Sequence, residues 1–193
     1  MRAYGCLSTE HIEQYQVYDQ TGPIPAEYTI KDLGEIINQG NKGCCVSCSI
    51  YEMYGFYCLS IGKKLDIKYN YTYDNRKDKS IDGQSVGEAF TFMRDNNHIK
   101  VFSRISTIDS LKTSIVTNGP AALAMIVRDA SRDDFWNGDN TQPIGHCVAA
   151  VGYDKDSIII KNSWGYEYGN NGLYNIPVKE FNKVVKEAWT III

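Results

Sequence analysis

The stretch Asn38-Gln39-Gly40-Asn41-Lys42-Gly43-Cys44-Cys45-Val46-Ser47-Cys48 constrains what this chain can be more than any other. Small and turn-forming residues lead into three cysteines. The cysteines open a segment whose apolar residues Val46, Ile50, Met53, Tyr54, Tyr57 and Ile61 recur at helical spacing. Gly62 with Lys63 and Lys64 stops that helix. A cysteine at a helix N-terminus sits where backbone N–H groups and the macrodipole favour its thiolate. Gln39, six residues before Cys45, carries an amide that can meet a developing oxyanion. The stretch reads as a nucleophile with its helix or as a cysteine-rich helix start, and the rest of the chain decides between them.

The flanking chain divides by texture. Residues 1–23 are polar and rich in Tyr and Gln, with no sustained period, and form an N-terminal extension that ends at Thr21-Gly22-Pro23-Ile24-Pro25. Residues 66–84 carry turn and charge signals and read as a long loop. Ser85-Val86-Gly87-Glu88 is a capping-box pattern, and Val86, Ala89, Phe90 and Met93 predict a helix to about Asn96. A shorter helix is predicted over 108–116. After Asn118-Gly119-Pro120, five short strands are predicted over 121–127, 147–153, 157–161, 172–176 and 188–193. The fold class is α+β, with a helical lobe over 24–117 and a β-rich lobe over 118–193.

Composition excludes some functions. The net charge is −3, so there is no basic excess to neutralise nucleic-acid phosphates. No apolar run approaches the roughly 18 residues of a membrane span, and Met1-Arg2-Ala3-Tyr4-Gly5-Cys6 lacks a signal-peptide core. The six cysteines are therefore expected to be reduced thiols.

Of the three histidines, His11 and His98 lie in irregular polar surroundings and read as surface residues. His146 opens the apolar strand Cys147-Val148-Ala149-Ala150-Val151-Gly152-Tyr153. The next strand ends in Lys161-Asn162-Ser163-Trp164-Gly165, and a hairpin would return Asn162 and Trp164 beside His146. A thiol, a base and a group orienting that base are the needs of nucleophilic acyl transfer.

Three blocks in this order, Asn38-Gln39-Gly40 through Cys45, Gly145-His146 through Tyr153, and Ile159-Ile160-Lys161-Asn162-Ser163-Trp164-Gly165 continued by Gly169 to Tyr174, resemble the papain-like (C1) cysteine peptidase family. Asn118-Gly119-Pro120, Asp82-Gly83 and Ile24-Pro25 match more weakly. The resemblance implies a two-lobe fold with a helical left lobe, an antiparallel β-barrel-like right lobe and a cleft between them. It implies Cys45 as nucleophile, His146 as general acid and base, Asn162 as the group orienting the imidazole, and Trp164 as the shield over that bond. Gln39 and the Cys45 N–H would bind the oxyanion. Gly83 would offer backbone to a peptide or protein substrate, and Ala124, Ile144 and Cys147 would line a small apolar specificity pocket. The activity implied is endopeptidase action through a thioester acyl-enzyme, without metal or cofactor.

The departures from the pattern are informative. Val46 stands where a tryptophan usually follows the nucleophile. Lys42 and Ile81 occupy both positions of a common family disulfide, and Gln84 replaces the second glycine of the usual pair. Too few residues precede Ile24 for the inhibitory prosegment, so the chain looks like the compact bacterial and viral branches. A cytoplasmic or virion-associated setting is expected, with the oligomeric state open. Three other readings stand beside this one. Cys45-Val46-Ser47-Cys48 is a C-x-x-C that suits a redox or zinc site with Cys44 and His146. The fold also serves non-cutting structural proteins, and the same machinery hydrolyses isopeptides or cell-wall peptides. Residues 1–23 would wrap the body, block the cleft or dock a partner.

Overall fold

The computed structural model describes residues 5–193; the reading of Met1-Arg2-Ala3-Tyr4 as part of no leader lies outside the described residues. The strands are β1 (Cys6–Leu7), β2 (Val17–Tyr18), β3 (Tyr28–Thr29), β4 (Gln84–Ser85), β5 (Val101–Ile105), β6 (Ala121–Val127), β7 (Ile144–Tyr153), β8 (Ser157–Lys161), β9 (Leu173–Pro177) and β10 (Val185–Ile192). The α-helices are α1 (Cys45–Ser60), α2 (Tyr71–Asp74), α3 (Val86–Asp95), α4 (Ile108–Thr117) and α5 (Val178–Val184).

Local chemistry explains the helix limits. The Ser85 hydroxyl accepts from Glu88 N–H at 3.2 Å and starts α3, and the Thr107 hydroxyl accepts from Ser110 N–H at 3.1 Å and starts α4. At the end of α1, Gly62 takes φ +67, Gly62 N–H bonds Leu59 O and Lys63 N–H bonds Cys58 O, the paired bonds of a glycine-stopped helix. The start of α1 differs. It has no side-chain cap and no acidic residue in its first turn, so its backbone N–H groups remain directed at whatever lies before Cys45.

Eight strands form one sheet in the order β2-β5-β10-β6-β7-β8-β9, with β3 paired to β7 off that path. All pairings in it are antiparallel except β2 with β5. The expected barrel-like lobe is thus corrected to an open sheet. Closure requires the end strands to pair, and here they are the two-residue β2 and the five-residue β9, which lie at opposite ends of the order and do not pair with each other. Residues 66–84, expected as loop, contain α2, and β4 begins at their last residue. The N-terminal extension contributes β1 and β2, because a two-residue strand is specified by its partner's backbone and carries no period of its own.

The sheet is buried on both faces, which is why β6 reads as the unbroken apolar run Ala-Ala-Leu-Ala-Met-Ile-Val. Leu123, Met125 and Val127 belong to one core with Leu111, Ile115 and Phe135. Ala122 and Ala124 face the other, made with α1, α3 and Trp189, and their small side chains let α1 approach the sheet closely. Trp189 has no exposure and meets Tyr15 edge-on at 5.0 Å, with Phe90 and Phe102 rings 6.2 and 6.1 Å away. Trp189→Ala is expected to cost about 3–5 kcal/mol, read as a lower urea midpoint at unchanged slope. No helix among the described residues is long and apolar enough to cross a membrane.

Candidate active site

Cys45 is the first residue of α1, at the end of the helix where the N–H groups concentrate. It has no solvent exposure. Burial pushes its thiol well up and the neighbouring Cys147 adds to this, while the N–H groups of Cys147 and Val46 hydrogen-bond the sulfur and pull the other way. The Cys147 bond places the Cys45 sulfur beside the residue that follows His146.

His146 is the third residue of β7 and is also fully buried. Its Nε2 lies 2.8 Å from Asn162 Oδ1, just beyond the end of β8. The same Oδ1 accepts the Ser163 backbone N–H at 2.7 Å. A backbone N–H only donates, so the atom it meets is the amide oxygen, and the imidazole must donate to that oxygen through Nε2. In the neutral ring Nδ1 is therefore the nitrogen that can accept a proton. Burial lowers the imidazole to about 4, with the Asn162 bond opposing the shift. Trp164 stacks on the ring at 4.7 Å between centroids and 22° between planes.

Gln39 is held at both ends of its amide. Ser163 Oγ donates to Oε1 at 2.5 Å and Nε2 donates to Lys42 O at 2.8 Å. Its backbone N–H bonds Ser163 O, and Gly165 N–H bonds Ile37 O. The loop before Cys45 is therefore laced to the loop that carries Asn162.

The residues proposed for substrate contact are placed differently from one another. Ala124 and Cys147 are cross-strand partners, and Ala124 pairs on its other side with Glu187 of β10. Cys147, Ala124 and Glu187 thus form one row across three strands. Ile144 alternates to the opposite face from Cys147 and is 46% exposed at the start of β7, so it does not join that row. Gly83 lies under the carbonyl of Gly5, where an added Cβ would stand 2.5 Å from Gly5 O.

That contact belongs to a segment occupying the cleft. Gly5 and Cys6 thread between Gly43 and Gly83 on one wall and Gly145 on the other. A Cβ on Gly5 would stand 2.0 Å from Gly43 O, and one on Gly145 would stand 2.0 Å from Cys6 O. β1 runs parallel to β4, Gln84 N–H bonds Gly5 O at 2.9 Å, and the Cys6 side chain lies beside Cys147. Thr9 anchors the segment, its N–H and hydroxyl donating to the two Glu187 carboxylate oxygens at 2.8 and 2.7 Å.

Sequence reading missed Phe135 and Glu187, and offered blocking of the cleft only as one of three alternatives for residues 1–23. Phe135 has no exposure and stands edge-on to Trp164 at 4.9 Å and to His146 at 6.1 Å, backing the stack. It lies between β6 and β7 in a polar loop with no period that would single it out. His98, read as a surface residue, is half-buried between the hydroxyls of Tyr54 and Tyr71 at 3.3 and 3.1 Å. Cys48 lies 3.9 Å from Cys44, sulfur to sulfur, and not against Cys45 as a working C-x-x-C pair would require.

A sequence model described as papain family cysteine protease matches residues 35–190. The chain belongs to the papain family. The match takes in all four of Gln39, Cys45, His146 and Asn162. Among papain-family relatives, a probable cysteine protease, RD19B, of Arabidopsis thaliana is 23% identical over 81% of this chain and 59% of its own length. Vignain of Vigna mungo is 24% identical over 85% of this chain and 58% of its own. The chain therefore spans less than two thirds of the length of these relatives. Xylellain, a cysteine protease from Xylella fastidiosa, superposes with a TM-score of 0.84, covering 100% of this chain and 97% of its own at 15% identity, and so shares the fold.

Proposed function

We propose that the chain is a cysteine endopeptidase acting through Cys45, His146 and Asn162. The observation that carries this reading is the fixed tautomer of His146, bonded through Nε2 to Asn162 Oδ1 at 2.8 Å, on the strand whose next residue, Cys147, meets the sulfur of Cys45 at the start of α1. Nδ1 takes the Cys45 proton, giving a thiolate and an imidazolium. Each group buried alone disfavours its own charge, but proton transfer within the pair creates both charges together and leaves the net charge unchanged. The thiolate adds to the scissile carbonyl. The oxyanion that forms is met by the Cys45 N–H, at the open start of α1, and by the Gln39 amide. The tetrahedral adduct collapses, the C–N bond breaks, and the imidazolium gives its proton to the leaving amine. Water, deprotonated by the imidazole, then cleaves the thioester and restores the thiol. Trp164 and Phe135 keep water from the His146–Asn162 bond, and Asn162, by holding Nε2, leaves the exchange with the thiol to Nδ1.

The partner in this reading is a peptide or protein that replaces Gly5–Thr9 in the cleft. The row Cys147, Ala124, Glu187 would meet one of its side chains, with small walls and an acidic end. The test is an epoxide probe of the active-site thiol followed by peptide mapping, on the native protein and on Gly5→Ala. Label is expected on Cys45, and on neither protein once Cys45 or His146 is replaced by alanine. Label on Cys44 or Cys48, or none on either folded protein, overturns the reading. Labelling without hydrolysis of any peptide would favour an isopeptide or cell-wall amide.

A further inference from the structure

We propose that Asp82 is a positioning residue for the oxyanion site, acting on Gln39 through the single peptide unit between Lys42 and Gly43; this rests on the role of Gln39 proposed above. Gln39 Nε2 donates to Lys42 O at 2.8 Å, and Gly43 N–H donates to Asp82 Oδ1 at 2.9 Å. The Lys42 carbonyl and the Gly43 N–H are the two ends of one planar unit. A carboxylate on the N–H end fixes the plane of that unit. It also polarises the unit, which makes the Lys42 oxygen a stronger acceptor for the Gln39 amide. Ser163 holds the other end of that amide, so the direction of Nε2 is set from both sides.

Asp82 is itself held. Tyr73 donates its hydroxyl to the same Oδ1 at 2.5 Å, and the Arg76 guanidinium lies over the Tyr73 ring at 3.8 Å from its centroid. Arg76 also bonds the carbonyls of Tyr73 and Ile81. The two loops touch through backbone, since a Cβ on Gly43 would lie 2.4 Å from Asp82 O. Lys42 and Ile81, each one residue before Gly43 and Asp82, stand where the resemblance places a disulfide. The bond from Gly43 to Asp82 thus ties the same two loops without a covalent link. Tyr73 lies at the third position of α2, in the stretch that sequence reading took as loop.

A positioning role for the oxyanion is separable from a role in building the fold or in making the thiolate. Iodoacetamide alkylation of Cys45 needs the thiolate but develops no oxyanion, whereas amide hydrolysis needs both. Gln39→Ala is expected to lower kcat for a peptide amide by about 10²-fold. Asp82→Ala is expected to lower it by roughly five- to tenfold, the size of one partly exposed charge-assisted hydrogen bond. Cys45 alkylation should be unchanged in both. In the Gln39→Ala background, Asp82→Ala should add no further loss, because the relay then ends on nothing. Asp82→Asn keeps an acceptor oxygen and should recover most of the rate, and it serves if the alanine variant does not fold. Losses that multiply, or an alkylation rate that falls with kcat, overturn the role of Asp82. No effect of Gln39→Ala on kcat would instead overturn the assignment of Gln39 and leave the tie between the loops as a structural one.

Discussion

Replacing His146 by alanine is expected to lower kcat/KM for a peptide substrate by about 10³-fold or more, in line with the loss of a positioned acid and base that serves both half-reactions. The pH dependence of Cys45 alkylation should change as well. With His146 present, the thiolate forms with the imidazolium as its counterion, so alkylation proceeds at neutral pH. Without it, burial is the dominant influence left on the thiol and pushes its ionisation up, so alkylation should rise only on the alkaline side. Asn162→Ala is expected to act through the ring. The imidazole loses the acceptor at 2.8 Å that fixes its tautomer, and kcat should fall by about ten- to a hundredfold with a smaller change in KM. Steady-state kinetics with one peptide amide, beside iodoacetamide rates across pH, check all three results. A His146→Ala protein that kept neutral-pH alkylation would remove His146 from the reaction.

The second large effect is expected from the segment in the cleft. Cys45 and His146 have no exposure in this structure, and Gly5–Thr9 lies across the approach to them. The two cleft carbonyls are turned to other partners: Gly5 O accepts Gln84 N–H, and Cys6 O lies against Gly145. The segment is thereby bound without presenting the Gly5–Cys6 or Cys6–Leu7 bond to the oxyanion donors. Gly5→Ala would place a methyl 2.0 Å from Gly43 O, a backbone atom that cannot retreat because Gly43 is wedged against Asp82. Displacement of the segment is then cheaper than accommodation, and Cys45 alkylation should accelerate by at least about tenfold. Thr9→Val removes one of the two bonds to the Glu187 carboxylate and should accelerate it about tenfold, the value of a hydrogen bond to a charged group. Alkylation rates equal to those of the unaltered protein in both variants would show that the segment does not limit access.

Much of the site was legible in the amino-acid order, for physical reasons that are local. Helical spacing from Val46 to Ile61 and a stop at Gly62 sufficed to place Cys45 at the mouth of α1. The apolar strand after His146 and the hairpin return to Asn162 and Trp164 sufficed to bring an imidazole, an amide and an indole together. These features depend on backbone periodicity and on turns that join neighbouring elements. Whether the sheet closes was not legible, since that depends on which edges pair: the end strand β2 is two residues long and is recruited by backbone groups that any sequence supplies. Phe135 behind the His146–Trp164 stack, Glu187 in a row with Ala124 and Cys147, Gly5 against Gly43, and Asp82 on Gly43 N–H were decided only by the tertiary structure. Each joins residues far apart in the chain through burial or close backbone approach, and neither leaves a local pattern. The sequence by itself determined which residues are the candidates for the chemistry; the fold decided how they are oriented, shielded and, in this structure, covered.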